Sequence, residues 1–425
     1  MDVKFCPGVL SGEMAAMPSK SDAHRIFIAA ALSKGATEIS LSTLSEDMEA
    51  TIGCLSALGA EITQKGELIT VSSITNVPAN PCLDAFESGS TLRFLIPLAG
   101  VLGQKVTFCG RGRLPERPQG PLLEALTAHG MDFTHTKLPF TASGKLSGGE
   151  FTLRGDISSQ FVTGLLFALP LTKEGGRIKL IPPVESKSYT DMTVRTLRAF
   201  GITVTEEENA YVVPGGQEYV SPGRVKVEGD WSNAAFWLCA GALGQKVSVS
   251  NLSSDSAQGD RAVAEILRRF GANVTEEGDT VTVSPGKLRG TEIDASDIPD
   301  LSLPLAMVAA QAEGVTVFRN MGRLRMKESD RLAALEDMIN GLCGENRAKV
   351  EDDTFYVTGG EVQGGKFSAR GDHRLVMSAA ILALNSKEGI IVSGAEAVRK
   401  SYPHFIKDYQ SLGGNAHEFH NGQPA

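Results

Sequence analysis

The sequence repeats one pattern six times, at intervals of about 70 residues. In each copy a polar turn opens an apolar run, a short β-branched strand follows, and a second amphipathic run ends at glycine. The openings are Ser19-Lys20-Ser21, Ser88-Gly89-Ser90, Ser158-Ser159-Gln160, Asp230-Trp231-Ser232, Ile298-Pro299-Asp300 and Asp372-His373-Arg374. Because the first N–H groups of a helix lack partners and carry the positive end of its dipole, we expect chemistry at these openings.

The first copy illustrates the predicted elements. Residues 25–32 predict a buried helix, residues 37–41 a strand, and residues 48–58 an amphipathic helix that Gly59 ends. The next two copies predict the same helix, strand and helix at 92–101, 106–109 and 122–129, and at 161–169, 177–181 and 192–200. Strands that alternate with helices favour an α/β fold.

The last copy is short of strands, because few residues follow Gly414. Residues 3–18 supply an extra strand pair, and we expect it to complete that copy. This predicts two similar lobes of three βαβαββ units each, one formed by residues 1–18 with 229–425 and the other by residues 19–228. Runs that are apolar all round predict buried parallel helices inside the sheets, as in an inside-out α/β barrel.

Composition excludes several classes of function. The net charge of −9 argues against a nucleic-acid or membrane-surface protein, which normally carries a basic excess. Apolar stretches such as 163–171 are too short to span a bilayer, and the first residues lack the features of a secretion signal. The six cysteines form no CxxC pair or metal-ligand spacing, so we expect reduced thiols and a cytoplasmic location.

Cationic side chains cluster at or near the openings, which is unusual in an acidic protein. They are Lys20, Arg25, Arg93, Arg117, Lys327, Arg331, Arg374 and Lys400. If the lobes face each other through these turns, the cleft between them suits small ligands with several negative charges. No HExxH, GxxxxGK[ST] or GxGxxG motif is present, so we expect neither a metal nor a nucleotide cofactor.

The motifs, in order along almost the whole chain, resemble those of the enolpyruvyl transferases. They are Pro18-Ser19-Lys20-Ser21 with Arg25, Gly89-Ser90-Thr91-Leu92-Arg93, Glu116-Arg117-Pro118, Ser158-Ser159-Gln160-Phe161, Ser186-Lys187-Ser188-Tyr189, Gly229-Asp230, Gln258-Gly259-Asp260, Ile298-Pro299-Asp300, Lys327-Glu328-Ser329-Asp330-Arg331, Asp372-His373-Arg374 and Lys400-Ser401-Tyr402-Pro403. The resemblance implies transfer of the enolpyruvyl group of phosphoenolpyruvate to the 5-hydroxyl of shikimate 3-phosphate, by addition and then elimination of phosphate. It implies no cofactor.

The resemblance also implies a role for individual residues. Asp300 corresponds to the group that takes the 5-hydroxyl proton, Glu328 to the acid that protonates the methylene carbon, and Lys20 to a third catalytic group. The implied contacts to shikimate 3-phosphate are Lys20, Ser21, Arg25, Ser158, Ser159, Gln160, Ser186, Tyr189, Asp300 and Lys327. The implied contacts to phosphoenolpyruvate are Lys20, Gly89, Arg93, Arg117, Gln160, Arg331, Arg374 and Lys400.

Each of these residues also has a purely structural interpretation. Asp300, Ser158 and Ser159 could be helix caps, and Glu328 and Arg331 could form a solvated ion pair one helical turn apart. His373 at a helix start is more often structural than catalytic. The recurrence of anion-binding groups at matched positions favours function at the named sites, whereas the fourth opening, Asp230-Trp231, is interpreted as structural.

Two positions depart from the family pattern. Glu87 stands where the family commonly has Asn ahead of its Gly-Ser/Thr turn, which places an acid near the phosphoenolpyruvate pocket. Arg323 stands near the position where many members have an Asn that touches shikimate, so that contact is not transferred to this chain. Neither change removes a charged catalytic group.

Three alternatives remain. The sister transferase that acts on UDP-N-acetylglucosamine typically has a reactive Cys four residues before its Arg-Pro, a position that is Arg113 here. A non-catalytic anion-binding or RNA-end-processing relative predicts a basic surface or a nucleotide-handling histidine motif, and a structural repeat protein predicts no cationic openings. We expect an enzyme that closes its two lobes on small-molecule substrates, acts as a monomer and binds neither nucleic acid nor membrane.

Overall fold

The computed structural model describes residues 1–420 and 423–424. These residues form open sheets and α-helices, joined by turns and loops. The helices are α1 Lys20–Leu32, α2 Glu46–Ala57, α3 Gly89–Leu102, α4 Gly120–Thr127, α5 Ser159–Ala168, α6 Lys187–Ala199, α7 Trp231–Leu243, α8 Val263–Phe270, α9 Ser302–Ala309, α10 Arg331–Cys343, α11 His373–Ala383 and α12 Phe405–Ser411. Short 3₁₀ helices span Leu114–Glu116, Leu169–Leu171, Gly259–Ala262, Pro299–Leu301, Gly322–Met326 and Ala395–Lys400.

The strands are short and lie between these helices. They are β1 Asp2–Phe5, β2 Gly12–Ala15, β3 Thr37–Ser40, β4 Ile62–Lys65, β5 Leu68–Val71, β6 Cys82–Asp84, β7 Val106–Cys109, β8 Met131–Phe133, β9 Phe140–Gly144, β10 Gly149–Arg154, β11 Gly175–Ile181, β12 Thr205–Glu207, β13 Ala210–Pro214, β14 Arg224–Lys226, β15 Val247–Ser250, β16 Asn273–Glu277, β17 Thr280–Ser284, β18 Glu292–Asp294, β19 Val315–Arg319, β20 Ala348–Glu351, β21 Thr354–Thr358, β22 Gly365–Ser368, β23 Ile390–Ser393, β24 Ala416–His420 and β25 Gln423–Pro424.

The chain divides into two compact units. One comprises Met1–Met17 with Glu228–Ala425, and the other comprises Pro18–Val227. In the second unit the strand orders are β14-β3-β5-β4, β6-β7-β9-β8 and β10-β11-β13-β12. In the first unit they are β16-β17-β15-β2, β18-β19-β21-β20 and β22-β23-β1-β24-β25. The fold is therefore α/β, and none of these sheets closes into a barrel within the described part of the chain.

The N-terminal strands do not remain together. β1 lies between β23 and β24, antiparallel to both, so it completes the sheet of the last copy as expected. β2 instead pairs in parallel with β15, where Gly12 lies opposite Val247. The expectation that both strands would complete one copy is therefore wrong for β2, because the two strands extend sheets of two different copies.

Helices at the openings are buried almost all round. In α3 and α5, most side chains from Leu92 and Phe161 onward are inaccessible to solvent, and the two helices pack against each other. The predicted helix 92–101 is confirmed within α3, whereas α1 begins at Lys20 rather than at residue 25. Ser19 caps that helix, so its polar first turn is helical too.

Within residues 1–420 and 423–424, we find no helix that combines the length and the apolar character needed to cross a membrane.

Candidate active site

Serine side chains cap the buried helices at three openings in the unit Pro18–Val227. Ser19, Ser88 and Ser158 each accept a hydrogen bond from a backbone N–H in the first turn of α1, α3 and α5. Gly89 and Ser159 are the first residues of α3 and α5. The predicted site residues Gly89 and Ser159 therefore lie where a helix presents N–H groups and a positive dipole end to an anion.

Arg93 holds another predicted site residue in place. Its Nε donates to Gln119 Oε1 at 3.0 Å, and its Nη1 donates to Gln160 Oε1 at 2.7 Å. The amide nitrogen of Gln160 in turn donates to Ser90 Oγ at 2.9 Å. The structure thus brings Arg93 and Gln160 together. The amide oxygen of Gln160 faces Arg93, and its amide nitrogen faces Ser90.

The guanidinium of Arg117 lies directly over Gly89. A Cβ atom at Gly89 would be 2.8 Å from Arg117 Nη1 and 3.0 Å from its Cζ. Arg117 follows the 3₁₀ helix Leu114–Glu116, which directs its side chain back to the start of α3. A cation and a helix N-terminus therefore meet at one point, and glycine is the residue that leaves room for both.

Arg25 joins the start of α1 to the start of α6. Its Nε donates to Thr193 Oγ1 at 2.9 Å, and its two terminal nitrogens donate to the carbonyl oxygens of Ser21 and Tyr189 at 2.5 and 2.8 Å. Burial lowers the pKa of Arg25 to about 10, so the side chain is still charged at neutral pH. Three predicted contacts to shikimate 3-phosphate, Ser21, Arg25 and Tyr189, are thus neighbours.

Ser186 has a strained backbone at the start of α6. Its φ of 55° and ψ of 39° fall in the left-handed region, which a non-glycine residue rarely adopts, and its side chain is buried. Strain of this kind costs about 1–3 kcal/mol and is typical of functional turns. The strain supports a functional role for Ser186.

Lys20 forms an ion pair with a residue that the motifs did not identify. Its Nζ lies 2.8 Å from Asp47 Oδ2, and both side chains are largely buried. Asp47 lies in the acidic first turn of α2, next to the cap residue Ser45. A capped acidic turn was the available signal, but the sequence does not indicate which cation such a turn contacts.

Asp300 in the other unit lies among three cations. Its Oδ1 is 2.8 Å from Arg331 Nη1 and 3.5 Å from Lys327 Nζ, and its Oδ2 is 3.3 Å from Arg374 Nη2. Burial favours the neutral acid, but the positive charges of Arg374, Lys327 and Arg331 outweigh it and hold the pKa of Asp300 well below its ordinary value. Asp300 is therefore an ionised carboxylate.

Arg331 is the centre of this cluster. Its Nε donates to Asp372 Oδ2 at 2.7 Å, and its Nη2 lies 3.2 Å from Asp372 Oδ1 and 2.7 Å from Glu328 Oε2. Burial opposes the charge of Arg331, but the carboxylates of Asp372, Glu328 and Asp300 raise its pKa above the ordinary value. The interpretation of Glu328 and Arg331 as a solvated ion pair is wrong for Arg331, because its side chain is only 1% exposed.

Lys327 is the most readily titrated cation of the cluster. Burial lowers the pKa of Lys327, the Asp300 carboxylate raises it, and the positive charges of Arg331 and Arg323 lower it further, to about 8. Arg323, one of the two departures from the family pattern, lies in the 3₁₀ helix Gly322–Met326. It therefore acts on the site through its charge.

The start of α11 carries the remaining predicted cations. Asp372 caps the helix by accepting a hydrogen bond from the backbone N–H of Arg374 at 3.0 Å, and Lys400 Nζ donates to the carbonyl oxygen of Gly371 at 2.7 Å. His373 is buried, with Nδ1 3.8 Å from Asp372 Oδ1. Arg374 thus lies in the first turn of α11, and Lys400 contacts the residue just before its cap.

Two further positions named in the sequence analysis are the fourth opening, Asp230-Trp231, and Glu87. Asp230 Oδ1 accepts a hydrogen bond from the N–H of Asn233 at 2.8 Å and caps α7, and Trp231 is fully buried. The carboxyl group of Glu87, the other departure from the family pattern, packs against Gly112.

Within residues 1–420 and 423–424, no group of three or more His, Cys, Asp or Glu residues is arranged to hold a metal ion.

Comparisons with known proteins identify the family of this chain. The family model described as EPSP synthase (3-phosphoshikimate 1-carboxyvinyltransferase) matches residues 6–409. The chain is 40% identical over 426 residues to a Clostridium kluyveri protein named 3-phosphoshikimate 1-carboxyvinyltransferase, with 99% of both chains covered. A Clostridioides difficile protein of the same name is 38% identical over 436 residues, again with 99% of both chains covered.

Solved structures support the same fold. EPSP synthase from Acinetobacter baumannii superposes with a TM-score of 0.82 at 23% identity, covering 98% of this chain and 100% of that one. The enolpyruvyl transferase NikO from Streptomyces tendae gives a TM-score of 0.78 at 20% identity, covering 100% of this chain and 99% of that one. With the sequence matches over almost the whole length, the chain belongs to the EPSP synthase (3-phosphoshikimate 1-carboxyvinyltransferase) family.

Proposed function

We propose that this chain transfers the enolpyruvyl group of phosphoenolpyruvate to the 5-hydroxyl of shikimate 3-phosphate and releases phosphate. This is the reaction of its family, a step of the shikimate pathway toward chorismate and the aromatic amino acids. The observation that carries the proposal is the Asp300 carboxylate, which is held ionised among Arg331, Lys327 and Arg374. A base that must accept a hydroxyl proton needs to be ionised before the reaction begins.

Substrate binding changes the strength of that base. The same three cations that keep Asp300 ionised also make it a weak proton acceptor. When Lys327 contacts shikimate 3-phosphate, and Arg331 and Arg374 contact phosphoenolpyruvate, the negative charges of the substrates offset these cations. The pKa of Asp300 then rises, so the carboxylate becomes a better base only when both substrates are present.

Glu328 supplies the proton for the addition step. The O–H of its carboxyl group gives a proton to the methylene carbon, a bond forms between the 5-oxygen and the central carbon of phosphoenolpyruvate, and Asp300 takes the hydroxyl proton. Glu328 Oε2 lies 2.7 Å from Arg331 Nη2, so the carboxyl group is held by this ion pair and not by a substrate. The acid role therefore requires Arg331 to exchange this partner for the substrate.

Elimination reverses the proton transfers at carbon. One proton of the new methyl group returns to the carboxylate of Glu328, the carbon–oxygen bond to phosphate breaks, and the enol ether product forms. The departing phosphate gains negative charge, which Lys20, Arg117 and Lys400 stabilise as cations placed at helix starts and turns. Lys20 is the catalytic cation among them, since its ion pair with Asp47 keeps the ammonium oriented.

Most of the proposed contacts belong to one substrate, and Lys20 and Gln160 contact both. For shikimate 3-phosphate we propose Ser21, Arg25, Ser158, Ser159, Gln160, Ser186 and Tyr189, together with Lys20, Asp300 and Lys327. For phosphoenolpyruvate we propose Gly89, Arg93, Gln160 and Arg374, together with Lys20, Arg117, Arg331 and Lys400. The hydrogen bonds among Arg93, Gln160 and Ser90 support a shared position for Gln160 between the two substrates.

The enzyme acts in the cytoplasm as a monomer, without nucleic acid or membrane. Its lobes, residues 1–18 with 229–425 and residues 19–228, each build three βαβαββ units with sheets around buried helices. Both lobes contribute groups to one reaction, so they close on shikimate 3-phosphate and exclude water from the site. Small-angle scattering is expected to record a smaller radius of gyration with this ligand, and an unchanged radius would count against closure.

The sister reaction with UDP-N-acetylglucosamine is the nearest alternative. The position of its reactive Cys is Arg113 here, and Cys109 lies upstream, with its Sγ 3.6 Å from Cys82 Sγ. A phosphate-release assay with phosphoenolpyruvate and each of the two acceptors distinguishes the reactions. We expect phosphate release from phosphoenolpyruvate when shikimate 3-phosphate is the acceptor and none when UDP-N-acetylglucosamine is the acceptor.

A further inference from the structure

The motif Gln258-Gly259-Asp260 has no role in the reaction described above. The Gln258 side chain bonds to the backbone on either side of Asp230, the cap residue of α7. Its Oε1 accepts from the N–H of Trp231 at 3.0 Å, and its Nε2 donates to the carbonyl oxygen of Gly229 at 2.8 Å. The short helix Gly259–Ala262 therefore lies in a fixed position against α7. This places Asp260 beside the first turn of that helix.

Asp260 is a buried carboxyl group with one hydrogen-bond partner. Its side chain is 3% exposed, and Oδ2 accepts a short hydrogen bond from Ser232 Oγ in the first turn of α7. Oδ1 is buried without a hydrogen-bond partner. Across the described residues, no Lys, Arg or His nitrogen forms an ion pair with Asp260, so the group lacks the compensation that a buried carboxylate requires.

The proposed base lies close to this group. The 3₁₀ helix Pro299–Leu301, which carries Asp300, packs against α7, the helix that holds Ser232. The charged groups that face Asp260 are Asp300 and Asp230, which are negative, and Arg374 and Lys327, which are positive. Arg374 and Lys327 already contact Asp300. A second ionised carboxylate here would compete with Asp300 for them.

The titration behaviour agrees with this geometry. Burial raises the pKa of Asp260, the negative charges of Asp300 and Asp230 raise it further, and Arg374 and Lys327 offset part of the rise, which leaves it at about 8. Asp300 has the opposite shift, to well below its ordinary value. Two carboxyl groups whose pKa values are separated in this way are typical of a site in which one group holds a proton and the other accepts one.

We propose that Asp260 is a positioning residue for the enolpyruvyl transfer: as a neutral acid bonded to Ser232, it does not compete with Asp300 for the charges of Arg374 and Lys327. The inference rests on the proposed function, because it assigns Asp260 a role toward the proposed base. Asp260 itself touches no substrate.

Substitutions distinguish a neutral acid from an ionised group. D260N keeps the size and the neutral form of the side chain, whereas D260A removes the partner of Ser232 and leaves a cavity. With phosphoenolpyruvate and shikimate 3-phosphate at pH 7, we expect D260N to keep kcat within about threefold of the wild type and D260A to lose at least about tenfold. We expect KM for phosphoenolpyruvate to change less than kcat in both variants. A D260N variant as impaired as D260A, with both folded by circular dichroism, would overturn the proposal.

Infrared difference spectroscopy reports the proton directly and does not depend on turnover. We expect the wild type to show a protonated carboxyl band at pH 7 that disappears near pH 8 and that D260N lacks. In S232A the band should persist to higher pH, since the ionised form loses its hydrogen-bond donor. A wild type without this band would overturn the proposal. If wild type has the band but releases no phosphate, the proposed function fails while the protonation of Asp260 stands.

Discussion

Arg331 and Asp372 form an ion pair that is closed to solvent, with Nε 2.7 Å from Oδ2 and side-chain exposures of 1% and 0%. The carboxylate of Asp372 also accepts a hydrogen bond from Ser329 Oγ at 3.0 Å and caps α11. One carboxylate therefore fixes the guanidinium that faces Asp300 and the start of the helix that carries Arg374. The positions of Arg331 and Arg374, both proposed contacts of phosphoenolpyruvate, depend on this pair.

Replacing Asp372 with Asn should destabilise the protein strongly. The change removes the charge of the carboxylate that contacts the buried Arg331 through both of its oxygens, and breaking such a pair costs about 3–5 kcal/mol. Urea denaturation followed by circular dichroism measures the loss. The matched control is E276Q, which removes an exposed partner of Arg268 at 2.7 Å and should cost less than about 1 kcal/mol. Equal losses in the two variants would contradict the account.

Replacing Gly89 with Ala should weaken the use of phosphoenolpyruvate without unfolding the protein. The added Cβ would lie 2.8 Å from Arg117 Nη1, so the flexible end of Arg117 must move away from the helix start. Steady-state kinetics should therefore record a higher KM for phosphoenolpyruvate. G53A is the control, because a Cβ at Gly53 in α2 meets no atom within 4 Å. An unchanged KM in G89A would exclude the proposed contact.

Affinity for shikimate 3-phosphate should fall as the pH rises through about 8. Burial first, and then the charges of Arg331 and Arg323, lower the pKa of Lys327 to about 8, and a lysine loses its positive charge above its pKa. If this charge contributes about 1.4 kcal/mol, the Kd should rise roughly tenfold between about pH 7 and pH 9.5. Calorimetric titration measures the Kd. K327R should flatten the profile because arginine stays charged, and a flat wild-type profile would contradict the assignment.

Turnover should depend on both carboxyl groups. General acid–base catalysis typically contributes about 10²–10⁴-fold, so D300A and E328Q should each lose several orders of magnitude in kcat. Both variants should still bind shikimate 3-phosphate, which calorimetry can verify, because its other contacts remain. Near-normal kcat in either variant would remove that residue from the mechanism.

The sequence predicted the buried helices better than it predicted their beginnings. The apolar run 92–101 lies within α3, and strand 106–109 coincides with β7. The start of α1 was placed too late, because Lys20, Ser21 and Asp22 are polar and only the cap formed by Ser19 shows that they are helical. Hydrophobic periodicity indicates which helix residues are buried, so it does not detect a polar first turn.

The sequence does not predict which side chains from distant segments form ion pairs. Lys20 and Asp47 lie 27 positions apart, and Arg331 and Asp372 lie 41 positions apart. The motifs identify such residues singly, whereas the pairing depends on how the helices pack. The protonation of Asp260 was hidden for the same reason, since it follows from the burial of a side chain and from the charges of Asp300 and Asp230 around it.

Product analysis tests the central claim most directly. The purified chain is mixed with phosphoenolpyruvate and either shikimate 3-phosphate or UDP-N-acetylglucosamine, and phosphate and the enol ether product are followed by NMR. The account predicts equal amounts of phosphate and 5-enolpyruvylshikimate 3-phosphate with the first acceptor and no product with the second. Conversion of UDP-N-acetylglucosamine, or no conversion of shikimate 3-phosphate by a folded protein, would contradict it.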